Sequence, residues 1–149
     1  MDDVDSLPLA GQLRAALCDF VSDAGTRRRL PTRFHVGTPG GTRVSLAHDP
    51  AFDGGLRADL VQRAIEGLDG AAALRPVPWL TRTGDLSPTD ADFAWFSAAR
   101  EGFGRHGLAL PGFFVITRHG WLNLANEDVI RWRRVRPRRA RDPLRSPAS

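Results

Sequence analysis

A chain of 149 residues, 42% hydrophobic and 26% charged, has the length and mixture of one globular domain with its own core. No apolar run nears the roughly 18 residues of a membrane span, and one cysteine excludes an internal disulfide or a multi-cysteine zinc site. The net charge of +4 is uneven, because residues 131–149 carry eight arginines against Asp142 alone, which leaves the first 130 residues slightly acidic.

Leu9, Leu13, Leu17, Phe20 and Val21 recur at helical spacing and predict a helix from about Leu9 to Ala24. Cys18 falls off the centre of that stripe and reads as an idle thiol. Alternation in Phe34 and Val36, then in Val44 and Leu46, predicts a hairpin around Thr38-Pro39-Gly40-Gly41. Its polar face holds Arg33, His35 and Arg43, a solvated face or a ligand site. A second helix is expected from a cap at Asp53 to a stop at Asp69-Gly70, with Leu56, Leu60, Val61, Ala64, Ile65 and Leu68 buried.

Val77–Arg82 reads as a third strand, followed by Ser87-Pro88-Thr89-Asp90 as a helix start with a capping hydroxyl and Pro at the first position. That helix is expected to run to about His106. Phe113–Ile116 is apolar on both faces and reads as a covered central strand. Trp121–Leu124 reads as a short strand or turn, and Val129–Val135 as a last strand or short helix. The expected fold is therefore mixed α/β, in the order α-β-β-α-β-α-β-β, with about five strands and three helices over residues 1–136. A disordered arginine- and proline-rich tail is expected over residues 137–149.

All 21 basic residues are arginine, the usage of GC-rich coding, so neither a Walker A lysine nor a Schiff base is possible. No G-x-S-x-G, H-E-x-x-H or G-x-G-x-x-G motif occurs, and no cofactor or bound metal is expected. The acidic start, Met1-Asp2-Asp3-Val4-Asp5, is unlike a secretory signal, so the cytoplasm is the expected compartment.

Three constellations carry chemistry. In the first, Asp92 projects into the apolar arc of the third helix, between Trp95, Phe96 and Ala99, where it complements the helix dipole or pairs with Arg82. The strand, polar loop and helix with Pro88-Thr89-Asp90-Ala91-Asp92, followed by Phe113–Thr117 and Gly120-Trp121-Leu122-Asn123-Leu124, resemble the JAB/MPN metalloprotease family over roughly residues 30 to 125. That family places a H-x-H pair at the strand end, an Asp on the helix as third zinc ligand, and a general-base Glu on an earlier strand. Here Thr81-Arg82-Thr83 stands at the histidine positions, and the first Glu is Glu66, in the second helix. The resemblance implies the fold and a degenerate metal site at Thr81, Thr83 and Asp92, in a non-enzymatic binding or adaptor module. A replacement zinc site from His35, His48 or Asp49 has no locking spacing.

The second constellation is a local echo, Leu80-Thr81-Arg82-Thr83-Gly84 and Ile116-Thr117-Arg118-His119-Gly120, each ending a strand expected to be parallel. Strand ends of α/β sheets gather ligands, and guanidinium groups grip oxyanions, so Arg82, Arg118 and His119 form an anion-site candidate for an enzyme or sensor. The third is the tail. Arg131, Arg133, Arg134, Arg136, Arg138, Arg139 and Arg141, with Trp132 as a stacking ring, suit nucleic acid, an acidic surface or another protein partner.

Overall fold

The computed structural model describes residues 3–132, and its spine is a six-stranded mixed sheet in the order β2-β1-β3-β4-β5-β6. The strands are β1 (Arg33–Gly37), β2 (Arg43–Ala47), β3 (Val77–Thr81), β4 (Phe114–Thr117), β5 (Gly120–Asn123) and β6 (Asp128–Arg131). The helices are α1 (Leu9–Ala24), α2 (Gly54–Glu66), α3 (Gly70–Leu74) and α4 (Asp90–Arg105), preceded by a single 3-10 turn at Val4–Ser6. All pairings are antiparallel except β3 with β4, which lie parallel on either side of the α4 crossover.

Strand alternation sends successive side chains to opposite faces, and the helices divide accordingly. On one face Phe34, Val36, Leu80, Val115 and Leu122 pack under Val61 and Ile65 of α2 and Trp95, Ala99 and Phe103 of α4. The two helices meet closely at Gly102, where a Cβ would lie 2.6 Å from Val61 Cγ1. On the other face α1 lays Leu13, Ala16, Leu17 and Val21 over Val77, Trp79, Phe114, Ile116 and Trp121. Every residue of β3 is buried, as a central strand covered on both faces requires. Pro78 is tolerated there because its nitrogen faces the same side as Arg82 N, which donates to Ile116 O of β4, and the β3–β4 ladder begins only at Trp79.

The mixed α/β architecture and the limits of α1 agree with the sequence reading. Leu56, expected on the buried face of the second helix, is 43% exposed at the start of α2, and three further details differ. Gly120–Asn123 and Asp128–Arg131 are both strands, making six, because the turn of Glu127 at φ 65 lets the chain pair back on itself. Gly120 allows that pairing, since a Cβ there would sit 1.9 Å from Ile130 O. Asp69-Gly70 begins the short α3 rather than ending α2, which stops at Gly67. The cap of α4 is Thr89, not Ser87: Thr89 Oγ1 accepts from Asp92 N, and the Asp92 carboxylate accepts from Thr89 N. Among the described residues no helix is long and apolar enough to cross a membrane. The tail expected to be disordered lies outside the described residues.

Candidate functional site

Two polar centres lie at the β1–β3 end of the sheet, one on each face. The first is built around Arg82, just past the end of β3. Its Nε and Nη2 donate to the two oxygens of Asp92 at 2.9 and 2.8 Å. Nη1 donates to the carbonyls of Thr83 and Asp85, and Nη2 also to that of Ser87. These five bonds engage all five N–H groups of the guanidinium. Both charged side chains are buried, Arg82 at 6% exposure and Asp92 at 0%. The pairing anticipated between Asp92 and Arg82 is thus an internal lock that closes the 82–89 loop onto the start of α4. Nearby, the Ser87 backbone N–H holds the exposed Asp85 carboxyl below its ordinary pKa.

The two arginines of the sequence echo do not converge. Thr81 pairs with Ile116 in the parallel register, so the second copy is offset by one residue from the first. One residue of offset reverses the face, and accordingly Leu80 packs under α2 and α4 whereas Ile116 packs under α1. Arg118 reaches the α1 side, donating to the carbonyls of Gly25 and Arg27. His119 is exposed and its carbonyl accepts from Trp132 N. With Arg82 saturated and Arg118 tying down the chain after α1, the anion site expected from Arg82, Arg118 and His119 is not assembled.

The second centre lies on the α1 face. On β1, His35 lies opposite Ser45 of β2 and Trp79 of β3, and it reaches diagonally to Thr81, two positions along β3. His35 Nδ1 lies 2.7 Å from Ser45 Oγ and Nε2 lies 2.8 Å from Thr81 Oγ1, with the ring stacked on Trp79 at 5.1 Å. A neutral imidazole has one donor and one acceptor, so one hydroxyl donates to the ring and the other accepts from it. Burial, then the charges of Arg43 and Arg33, push the His35 pKa down to about 3. This array resembles a serine–histidine pair, but a base held that low accepts a proton poorly near neutral pH. The trio forms the floor of a cleft of about 320 Å³, walled by Phe20, Asp19 and Asp23 of α1 and by Arg33 and Arg43 of the hairpin.

The three positions of the degenerate metal site therefore separate. Thr81 is bonded to His35, Asp92 to Arg82 and Thr89, and half-buried Thr83 offers its carbonyl to Arg82. His48 belongs to the opposite face, where its Nδ1 accepts from Trp95 Nε1 at 2.9 Å, and Asp49 accepts from Ala51 N. Among the described residues no three His, Cys, Asp or Glu side chains are grouped to hold a metal ion. Cys18 is partly exposed as a free thiol.

Of the nucleic-acid candidates, Arg131 is exposed on β6, the edge strand. Trp132 is not a free stacking platform: it packs against Trp121 at 6.2 Å, with Arg14 over its ring at 4.9 Å. Arg133, Arg134, Arg136, Arg138, Arg139 and Arg141 lie outside the described residues. The feature that sequence reasoning underweighted is the neighbourhood of His35 and Thr81, which are 46 residues apart. The alternation that put Arg33, His35 and Arg43 on one face was its only signal. No family model, curated protein or solved structure matches this chain.

Proposed function

We propose that this protein is a non-enzymatic binding module of JAB/MPN-like ancestry, in which an internal ion pair has replaced the catalytic metal. The observation that carries this reading is the Arg82–Asp92 pair. The aspartate that would complete a zinc site in that family has both oxygens committed to a guanidinium and one of them also to the Thr89 amide. Threonine hydroxyls at Thr81 and Thr83 are poor zinc ligands beside imidazole, and Thr81 is already engaged by His35. These residues do not fit a zinc ion. The layering of the sheet between α1 and the α2–α4 pair, and an earlier strand (β1) that supplies His35 rather than a glutamate as the hydrogen-bond partner of Thr81, are in keeping with the reading.

Elemental analysis of the purified full chain, paired with a peptidase assay, tests it. The expected result is zinc well below one equivalent per chain and no chelator-sensitive turnover. One tightly held zinc per chain with peptide hydrolysis would overturn the reading.

A further inference from the structure

The apolar stripe of α1 covers β3, β4 and β5, while the β1–β2 end of the same face carries charge. Arg33 lies opposite Ala47 and Arg43 opposite Gly37, on either side of the His35–Ser45 pair. That is four ladder positions, or about 13 Å between backbones, and two side chains as long as arginine reach the space between. Arg43 donates one N–H group to Gly41 O, and Arg33 is exposed, with a guanidinium that makes no hydrogen bond among the described residues. The remaining donors are available to a ligand.

We propose that this cleft binds a small oxyanion, a carboxylate or phosphate, gripped between Arg33 and Arg43 with the Ser45 hydroxyl as a further donor. The inference rests on the reading of the chain as a binding module and names the ligand class of that module. A neutral His35 fits the role: with its proton on Nδ1 it donates to Ser45 Oγ, and the Ser45 hydroxyl is left to donate to the anion. Thr81 on the far side then donates to Nε2 and fixes the ring.

Size and charge restrict the ligand. About 320 Å³ is at the low end for small-molecule sites, enough for a metabolite rather than a folded partner. Arg33 and Arg43 select for negative charge. Phe20 and Trp79 give an apolar wall for the carbon part of a carboxylate or phosphate ester.

The test is calorimetry and thermal shift on the full chain with inorganic phosphate and, separately, succinate. Saturable binding and stabilisation by at least one probe is expected, and the stronger probe identifies the class. Arg33→Ala and Arg43→Ala should each weaken binding roughly tenfold, as expected for a charge-assisted hydrogen bond. Arg100→Ala, an exposed charge removed from α4 on the other face, should leave it unchanged. No saturable binding of either probe would overturn the proposal. So would binding that survives in Arg33→Ala/Arg43→Ala, which would put the anion elsewhere, the arginine-rich C-terminus included. Neither readout depends on zinc or hydrolysis, so this proposal and the metal-free reading fail separately.

Discussion

Arg82 and the pair Arg33 and Arg43 are on opposite faces of the same end of the sheet, and they differ in where their donors go. All five N–H groups of Arg82 are directed at protein oxygens, in a site with almost no exposure. Arg33 and Arg43 are exposed, line a cleft, and together direct one N–H group at a protein oxygen among the described residues. A guanidinium with a complete internal set of acceptors is a structural strut, whatever its sequence surroundings. One with donors left over beside a concave surface is a recognition element.

The contrast breaks first at the strut. Removing either partner of a buried ion pair strands the other charge, so Asp92→Ala or Arg82→Met should cost about 3–5 kcal/mol in urea unfolding. The double change Arg82→Met/Asp92→Leu should cost less than the sum of the two single losses, because no charge is left stranded, although the loop carbonyls and the Thr89 amide still lose their partners. Additive losses in the double variant would mean the two side chains are not coupled.

A smaller effect is expected at His35. Its folded pKa of about 3 lies below the ordinary value of 6.5, so between these values the unfolded chain binds the extra proton. Stability from this group is fully present above about pH 6.5 and is lost as pH falls toward 3. From pH 7 to pH 4 the loss is about 3 kcal/mol, and His35→Gln should flatten that part of the pH profile. An unchanged profile in His35→Gln would show that other groups carry the acid sensitivity.

The smallest effect is expected at the cleft arginines. Arg33→Ala and Arg43→Ala should change stability at pH 7 by no more than about 0.5 kcal/mol, as exposed substitutions do. At pH 4 each should reduce the His35 penalty, because its charge helps to hold that pKa down. A large loss at pH 7 in either variant would make it a strut like Arg82 and remove the contrast.

Much of the fold was legible because period and punctuation agreed. The apolar stripe of α1 and the alternation of β1 and β2 are local signals, and both gave correct elements. The edge strand β6 was ambiguous, since Val129 and Ile130 are half-exposed and alternate weakly. At the polar centres, residue types were legible but partners were not. Asp92 stood out as an acid on an apolar arc, and Arg82 was a nearby candidate for it. The echo around Arg82 and Arg118 suggested convergence, but a one-residue offset between β3 and β4 sends the two side chains to opposite faces. Register is set by pairing across 30 or more residues, and nothing within either five-residue copy encodes it. His35 meets Thr81 for the same non-local reason.

The most direct test of the account is the set of arginine Nε–H resonances of the full chain, followed by nuclear magnetic resonance during a phosphate titration. The account predicts that Arg82 Nε–H exchanges slowly with solvent and does not move, while those of Arg33 and Arg43 exchange fast and shift saturably. A phosphate-dependent shift at Arg82, or none at Arg33 and Arg43, would contradict it.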